Sequence, residues 1–203
     1  MKRRDFLATG VAAAAVMAAG PVTAQAIPLD RISSYFNAIE TLQAKFAQFN
    51  PDGTIASGTL YIRRPGRMRF EYDPPQRALV MAGAGQLAIF DGRSNESRPE
   101  QYPLRRTPLN ILLERDVRLG ANGVVVGHSG DASATRVIAR DPQRPEMGWI
   151  EFVFAERPLR MTEWTVVDDA GQRTRTVLSE LRTGVQLANS LFSIQDETNR
   201  RNQ

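Results

Sequence analysis

The chain has 203 residues, a formal net charge of +4, one histidine and no cysteine. That inventory excludes disulfide staples, Cys–His chemistry and a multi-histidine metal site, and no HExxH zinc motif can be written. The basic balance rests on arginine without the strong clustering of a nucleic-acid binder, so no nucleic-acid partner is expected.

The first 26 residues read as a cleavable export signal. Lys2, Arg3 and Arg4 precede an apolar run from Ala8 to Ala19, and Ala24-Gln25-Ala26 has the small-x-small pattern that places cleavage before Ile27. The run is short and rich in Ala and Gly for a transmembrane anchor. Arg3-Arg4 with Phe6-Leu7 resembles a twin-arginine signal, with an ordinary Sec signal as the alternative. Either route ends beyond the inner membrane, in the periplasm. Removal of the signal takes three positive charges and one negative, so +4 becomes +2 over the remaining 177 residues. That length suits one domain, 27–203, with a sizeable core.

Leu29, Ile32, Tyr35, Phe36 and Ile39 recur at helical spacing and predict an amphipathic helix over residues 29–40. Leu42, Ala44 and Phe46 then alternate with polar neighbours as in a strand, with a continued helix as the alternative. Pro51-Asp52-Gly53 is a turn signal before a strand from Ile55 to Arg63. Arg64-Pro65-Gly66-Arg67 has the residues of a type II turn, and Met68, Phe70 and Tyr72 share one face of the next strand. Further strands are expected at 77–82, 86–91 and 95–102. Thr107 as cap and Pro108 at the first position predict a short apolar helix over 107–113. Strands resume at 124–128, 135–140, 149–155, 159–168 and 173–182, with Asp169-Ala170-Gly171 as a hairpin. The end, Asn199 to Gln203, reads as a polar tail. Close antiparallel strands with one apolar face predict a mainly β fold, a strongly curved sheet or barrel with apolar helices against it.

No catalytic constellation is legible. There is no GxSxG elbow and no GxxxxGK[ST] phosphate loop. His128, between Gly127 and Ser129, reads as a solvated turn residue; Asp168, Asp169 and Glu71 read as surface carboxylates. No catalytic residue, metal or cofactor is expected, and a small hydrolase would have to use His128. Arg63, Arg64, Arg67 and Arg69 invite a nucleic-acid or anionic-lipid reading, but Arg67 and Arg69 read more simply as the polar face of a strand whose Met68 and Phe70 point to the other side. An eight-stranded outer-membrane barrel fits the length, but an opening amphipathic helix and a polar tail do not suit it.

Taken in order, these segments resemble the LolA family of periplasmic lipoprotein carriers. Leu42-Gln43-Ala44-Lys45-Phe46-Ala47-Gln48-Phe49 looks like the family's first strand. The run from Gly58-Thr59-Leu60-Tyr61-Ile62-Arg63-Arg64-Pro65-Gly66 to Tyr72 is similar to its signature G-x-L-x-[hydrophobic]-x-R-P-x-x-[hydrophobic]-x-[aromatic]. Phe90-Asp91, Gln101-Tyr102-Pro103-Leu104 and Thr107-Pro108-Leu109 resemble its later Y-D, Q-V and T-P-L segments.

The resemblance implies an incomplete, strongly curved antiparallel β-barrel, closed by an N-terminal helix and a short apolar lid helix. It implies a monomer that takes acylated lipoproteins from an inner-membrane ABC transporter and delivers them to an outer-membrane receptor. Leu60, Ile62, Met68, Phe70, Tyr72, Phe90, Phe152, Phe154, Met161 and Trp164 would line the acyl-chain groove, with Met81 as another adaptable side chain. Leu109, Leu112 and Leu113 would form the lid, and Arg64 would latch it. A LolA-like carrier of another lipid fits the same residues. Enterobacterial members carry a C-terminal extension beyond the barrel, in place of which a polar tail is expected here.

Overall fold

The computed structural model describes residues 25–92 and 98–203, so residues 1–24 of the expected signal and residues 95–97 of the expected strand 95–102 lie outside it. Helix α1 (Leu29–Ala38) leads into strands β1 (Thr41–Phe49), β2 (Ile55–Arg63), β3 (Arg67–Tyr72), β4 (Leu79–Gly83), β5 (Gln86–Phe90) and β6 (Glu100–Pro103). A 3-10 turn (Leu104–Arg106) and helix α2 (Leu109–Leu113) follow. Strands β7 (Val125–Gly130), β8 (Thr135–Ala139), β9 (Trp149–Glu156), β10 (Leu159–Val167) and β11 (Arg173–Thr183) complete the sheet, and helix α3 (Ile194–Arg201) closes the order.

Among the described residues, the eleven strands form one sheet in the order β6-β5-β4-β3-β2-β1-β11-β10-β9-β8-β7. The first and last strands meet in its middle, and β6 and β7 are left as its two edges. Every pair is antiparallel. Register irregularities bend the sheet where β1 meets β11, in β10 beside Met161 and in β7. Glu180, within the first of these, takes a left-handed φ of 49°. An extra residue on one strand raises local twist and curvature, so the sheet curls around one face without joining edge to edge.

Register decides which side chains share that concave face. Ile62 stands opposite both Leu42 and Met68, and Leu60 opposite both Ala44 and Phe70. On the other flank Phe152 pairs with Trp164 and Val137, and Phe154 with Met161. These side chains form one apolar core together with Ile32 and Phe36 of α1. The helix ends at Ala38, where Ile39 turns extended (φ −93°, ψ 103°) and gives its N–H to the Phe36 carbonyl. Residues 41–49 are therefore strand throughout.

Three expectations are corrected. The polar tail is partly helical: it continues α3, which is capped by Ser193 Oγ on the Asp196 amide (3.1 Å) and packs on the convex face. Ile194 covers Leu79, Met81, Ala88 and Phe90 there, and the Arg201 guanidinium lies 4.7 Å from the Phe90 ring centre. Thr107 does not cap α2, because its hydroxyl donates back to the Leu104 carbonyl (2.9 Å). His128 is not in a turn; it stands within edge strand β7, opposite Val137.

Candidate functional site

Eight of the expected groove residues meet on the concave face. Leu60, Ile62, Met68, Phe70, Phe152, Phe154, Met161 and Trp164 are all buried in the one core, and Tyr72 packs against it partly buried. The Phe70 ring centre lies 5.0 Å from Phe46 and 6.1 Å from Trp164, both edge-on. Tyr72 donates its hydroxyl to Gln48 Oε1 (2.8 Å), and burial pushes its phenol up to about 12 against that bond. Phe90 and Met81 do not join this surface. Met81 stands opposite Arg69 and Phe90 opposite Leu79, which places both on the convex face under α3. Alternation reports two faces of a strand, and only the cross-strand partners tell which one is concave.

The concave face is filled by its own cover. Phe36 reaches down from α1 to stand edge-on to Phe152 (5.2 Å) and Phe154 (5.6 Å). Tyr35 accepts the Met161 amide on its hydroxyl (3.1 Å), fixing α1 to the irregular part of β10. From α2, Leu112 and Leu113 are buried in the same core with Ile111, and Leu109 packs at its margin. Val117 and Leu119, just beyond α2, are each 1% exposed. The covering segment, residues 104–124, is thus an apolar plug carried on the link between the two edge strands.

Polar groups hold this plug in place. The Arg64 guanidinium, at the β2–β3 turn, donates to the Phe36 carbonyl at the end of α1 and to the Glu114 carbonyl at the end of α2. It also reaches Asn37 Oδ1 (3.2 Å). The same turn contributes Gly66, whose φ of 71° suits glycine and whose amide donates to the Leu113 carbonyl (2.8 Å). Helix C-termini carry partial negative charge on their last carbonyls, so one cation placed at the C-terminal ends of both helices favours the closed arrangement, adding to the bond that Ile39 already gives the Phe36 carbonyl. Burial lowers the Arg64 pKa, against the pull of Glu114 and Asp116. The Glu114 carboxyl is raised, first by desolvation and then by Asp141 and Asp116, with Arg64 opposing.

Sequence reasoning missed Ser33, Asn37, Val117 and Leu119 as parts of this site. Asn37 and Ser33 lie one helical turn apart on α1 and bind the backbone of Val117 and Leu119. The signal was legible in the i, i+4 spacing of two polar residues beside the apolar stripe, and in the apolar pair Val117 and Leu119 after the lid helix. A cleft of about 430 Å³ opens at the margin of the cover, with Arg105, Ile111, Glu114, Val117, Arg140 and Asp141 among its walls. Among the described residues no group of His, Cys, Asp or Glu could hold a metal ion, and no helix is long and apolar enough to cross a membrane.

A curved antiparallel sheet, open along one seam and stoppered by helices, defines an incomplete β-barrel with a lid. The chain belongs to the LolA family: the family described as outer membrane lipoprotein carrier protein LolA matches residues 37–195. It is 27% identical over 183 residues to the outer-membrane lipoprotein carrier protein of Coxiella burnetii strain CbuK_Q154, covering 85% of each chain. It is 26% identical over 176 residues to the same-named protein of Methylococcus capsulatus, covering 83% of this chain and 84% of that one. Among solved structures, a LolA superfamily protein from Nitrosomonas europaea is similar at 10% identity with a TM-score of 0.45, covering 83% of this chain and 98% of the other.

Proposed function

We propose that residues 27–203 act as one non-enzymatic, monomeric carrier unit in the periplasm. It takes the acyl chains of lipoproteins from an inner-membrane ABC transporter into the concave groove and releases them to a receptor at the outer membrane. The observation that carries this reading is the stopper itself: apolar side chains of α1 and α2 fill an apolar groove, while sparse polar bonds around Arg64 hold the cover on.

Such an arrangement solves the carrier's central difficulty. Full transfer of an acyl chain from water is worth about 0.8 kcal/mol per CH₂, which would make release of a long chain very slow. Here the chain must displace Phe36, Leu112, Leu113 and their neighbours, so one apolar filling replaces another and the net gain is small. Met68 and Met161 add side chains that repack around ligands of varied shape. The cleft beside Glu114 and Val117 marks where the cover can begin to lift.

The test is native mass spectrometry of the protein from its own host's periplasm, with and without depletion of the lipoprotein-exporting transporter. Acylated lipoprotein that co-purifies only while the transporter is present supports the reading. Free phospholipid in both samples would keep the groove but assign a different cargo.

A further inference from the structure

We propose that β7 and β8 form a docking site for the processed N-terminus, and that occupancy of this site and cleavage of the Ala26–Ile27 bond exclude one another. The inference rests on residues 1–26 being a signal and is independent of the cargo.

Ile27 is only 2% exposed, and both of its backbone polar groups are bound by side chains far away in sequence. Its N–H donates to the hydroxyl of buried Thr135 (2.9 Å). Its carbonyl stands 2.9 Å from His128 Nε2, and because a carbonyl can only accept, Nε2 carries the proton. Gly130, the cross-strand neighbour of Thr135, lets the chain pass: a Cβ there would lie 2.5 Å from Ala26 Cα and 2.8 Å from Ala26 N. Three side-chain choices on two strands thus converge on one dipeptide. The single histidine of the chain, without a catalytic neighbour in the sequence reading, has this contact as its structural role.

A peptidase that takes an extended segment binds it through the backbone N–H and C=O groups flanking the scissile bond. At Ile27 those groups are already engaged, so the bond is cut only while the segment is off the sheet. Hydrolysis adds the hydroxyl of water to the Ala26 carbonyl carbon and its hydrogen to the Ile27 nitrogen. With an α-amino pKa of about 7.7–8.0, that nitrogen takes a further proton at neutral pH. The resulting ammonium still has Thr135 Oγ as an acceptor, now for a charge-assisted bond, and the departure of Ala26 opens its remaining donors to water. Docking thereby fixes the start of α1, two residues downstream, against the sheet edge.

The test uses the full-length precursor, natively folded, and a signal peptidase in detergent micelles, followed by intact-mass measurement over time. Native wild-type precursor is expected to be cut about tenfold more slowly than native Thr135→Val or His128→Ala precursor, because cutting tracks the population of the undocked segment. Equal rates overturn the proposal. Circular dichroism identifies any variant that fails to fold; His128 is exposed on an edge strand, so His128→Ala decides if Thr135→Val does not fold. In the processed protein, amine acylation of the Ile27 terminus should be slower in wild type than in His128→Ala, and equal labelling overturns the ammonium seat.

Discussion

Asn37 and Val117 grip each other through both ends of a single amide. Asn37 Nδ2 donates to the Val117 carbonyl (3.0 Å), and Asn37 Oδ1 accepts the Val117 amide (2.9 Å). This pair ties the opening helix to the segment beyond the lid helix, 80 residues away. Substitution Asn37→Ala leaves two partly buried backbone groups without partners, at a cost of about 1–3 kcal/mol each. Hydrogen exchange should then accelerate at the amides of Val117 and Leu119 while β1 to β3 keep their protection. Unchanged protection at Val117 would show that the cover is held elsewhere.

Arg64→Leu removes the bonds to the Phe36 and Glu114 carbonyls but no core side chain. A hydrogen bond to a charged group contributes about 1.5–3 kcal/mol, so the closed arrangement should lose about tenfold or more in population relative to an open one. Association of a fluorescent fatty acid should speed up correspondingly, with an unchanged far-ultraviolet spectrum. Normal capture and release in this variant would remove the latch role.

Glu114 gives the cover a pH dependence of definite sign. Its folded pKa is raised, chiefly by desolvation, so the folded chain holds this proton at pH values where the unfolded chain has lost it. Stability from this group is therefore fully present below the ordinary carboxylate range and declines as pH rises through the folded value. Glu114→Gln should raise the urea midpoint at about pH 7 and converge with wild type near pH 3. Equal midpoints at both pH values would contradict the assignment.

On the convex face, Arg69 and Glu197 form a buried ion pair (3.3 Å), joined by Arg200 and Arg201 on the same carboxylate. Glu197→Ala leaves the buried Arg69 guanidinium with Glu71 (2.7 Å) as its remaining carboxylate, so it should cost about 1–3 kcal/mol in a urea melt and release α3. Uptake of a fluorescent fatty acid, proposed for the opposite face, should survive in the molecules that remain folded. A loss below about 1 kcal/mol would place the pair with ordinary surface salt bridges.

Local chemistry made much of the fold legible. Period-two alternation and the Pro65-Gly66 turn predict β2 and β3 with the boundaries they have. The helix α3 escaped because its single strong apolar residue is Ile194, and its buried residue is Glu197, whose partner Arg69 lies 128 positions earlier. A capping pattern, Ser193 three residues before Asp196, was present but lacked an apolar run to give it meaning. Arg69 was misjudged for the same reason. It sits on the polar side of its strand, yet it is 6% exposed because that side is covered by a helix. Phe90 and Met81 show the remaining limit, since one residue of register decides whether an apolar side chain faces the groove or the outside.

The two free edges of the sheet, β6 and β7, follow one another in the chain, and the covering segment is what joins them. The stopper therefore works as the clasp of a purse. Lifting it and letting the two rims part belong to a single motion, and no strand–strand hydrogen bond has to break for the mouth to widen. A wall built this way can yield at its rims while its eleven strands stay fully paired.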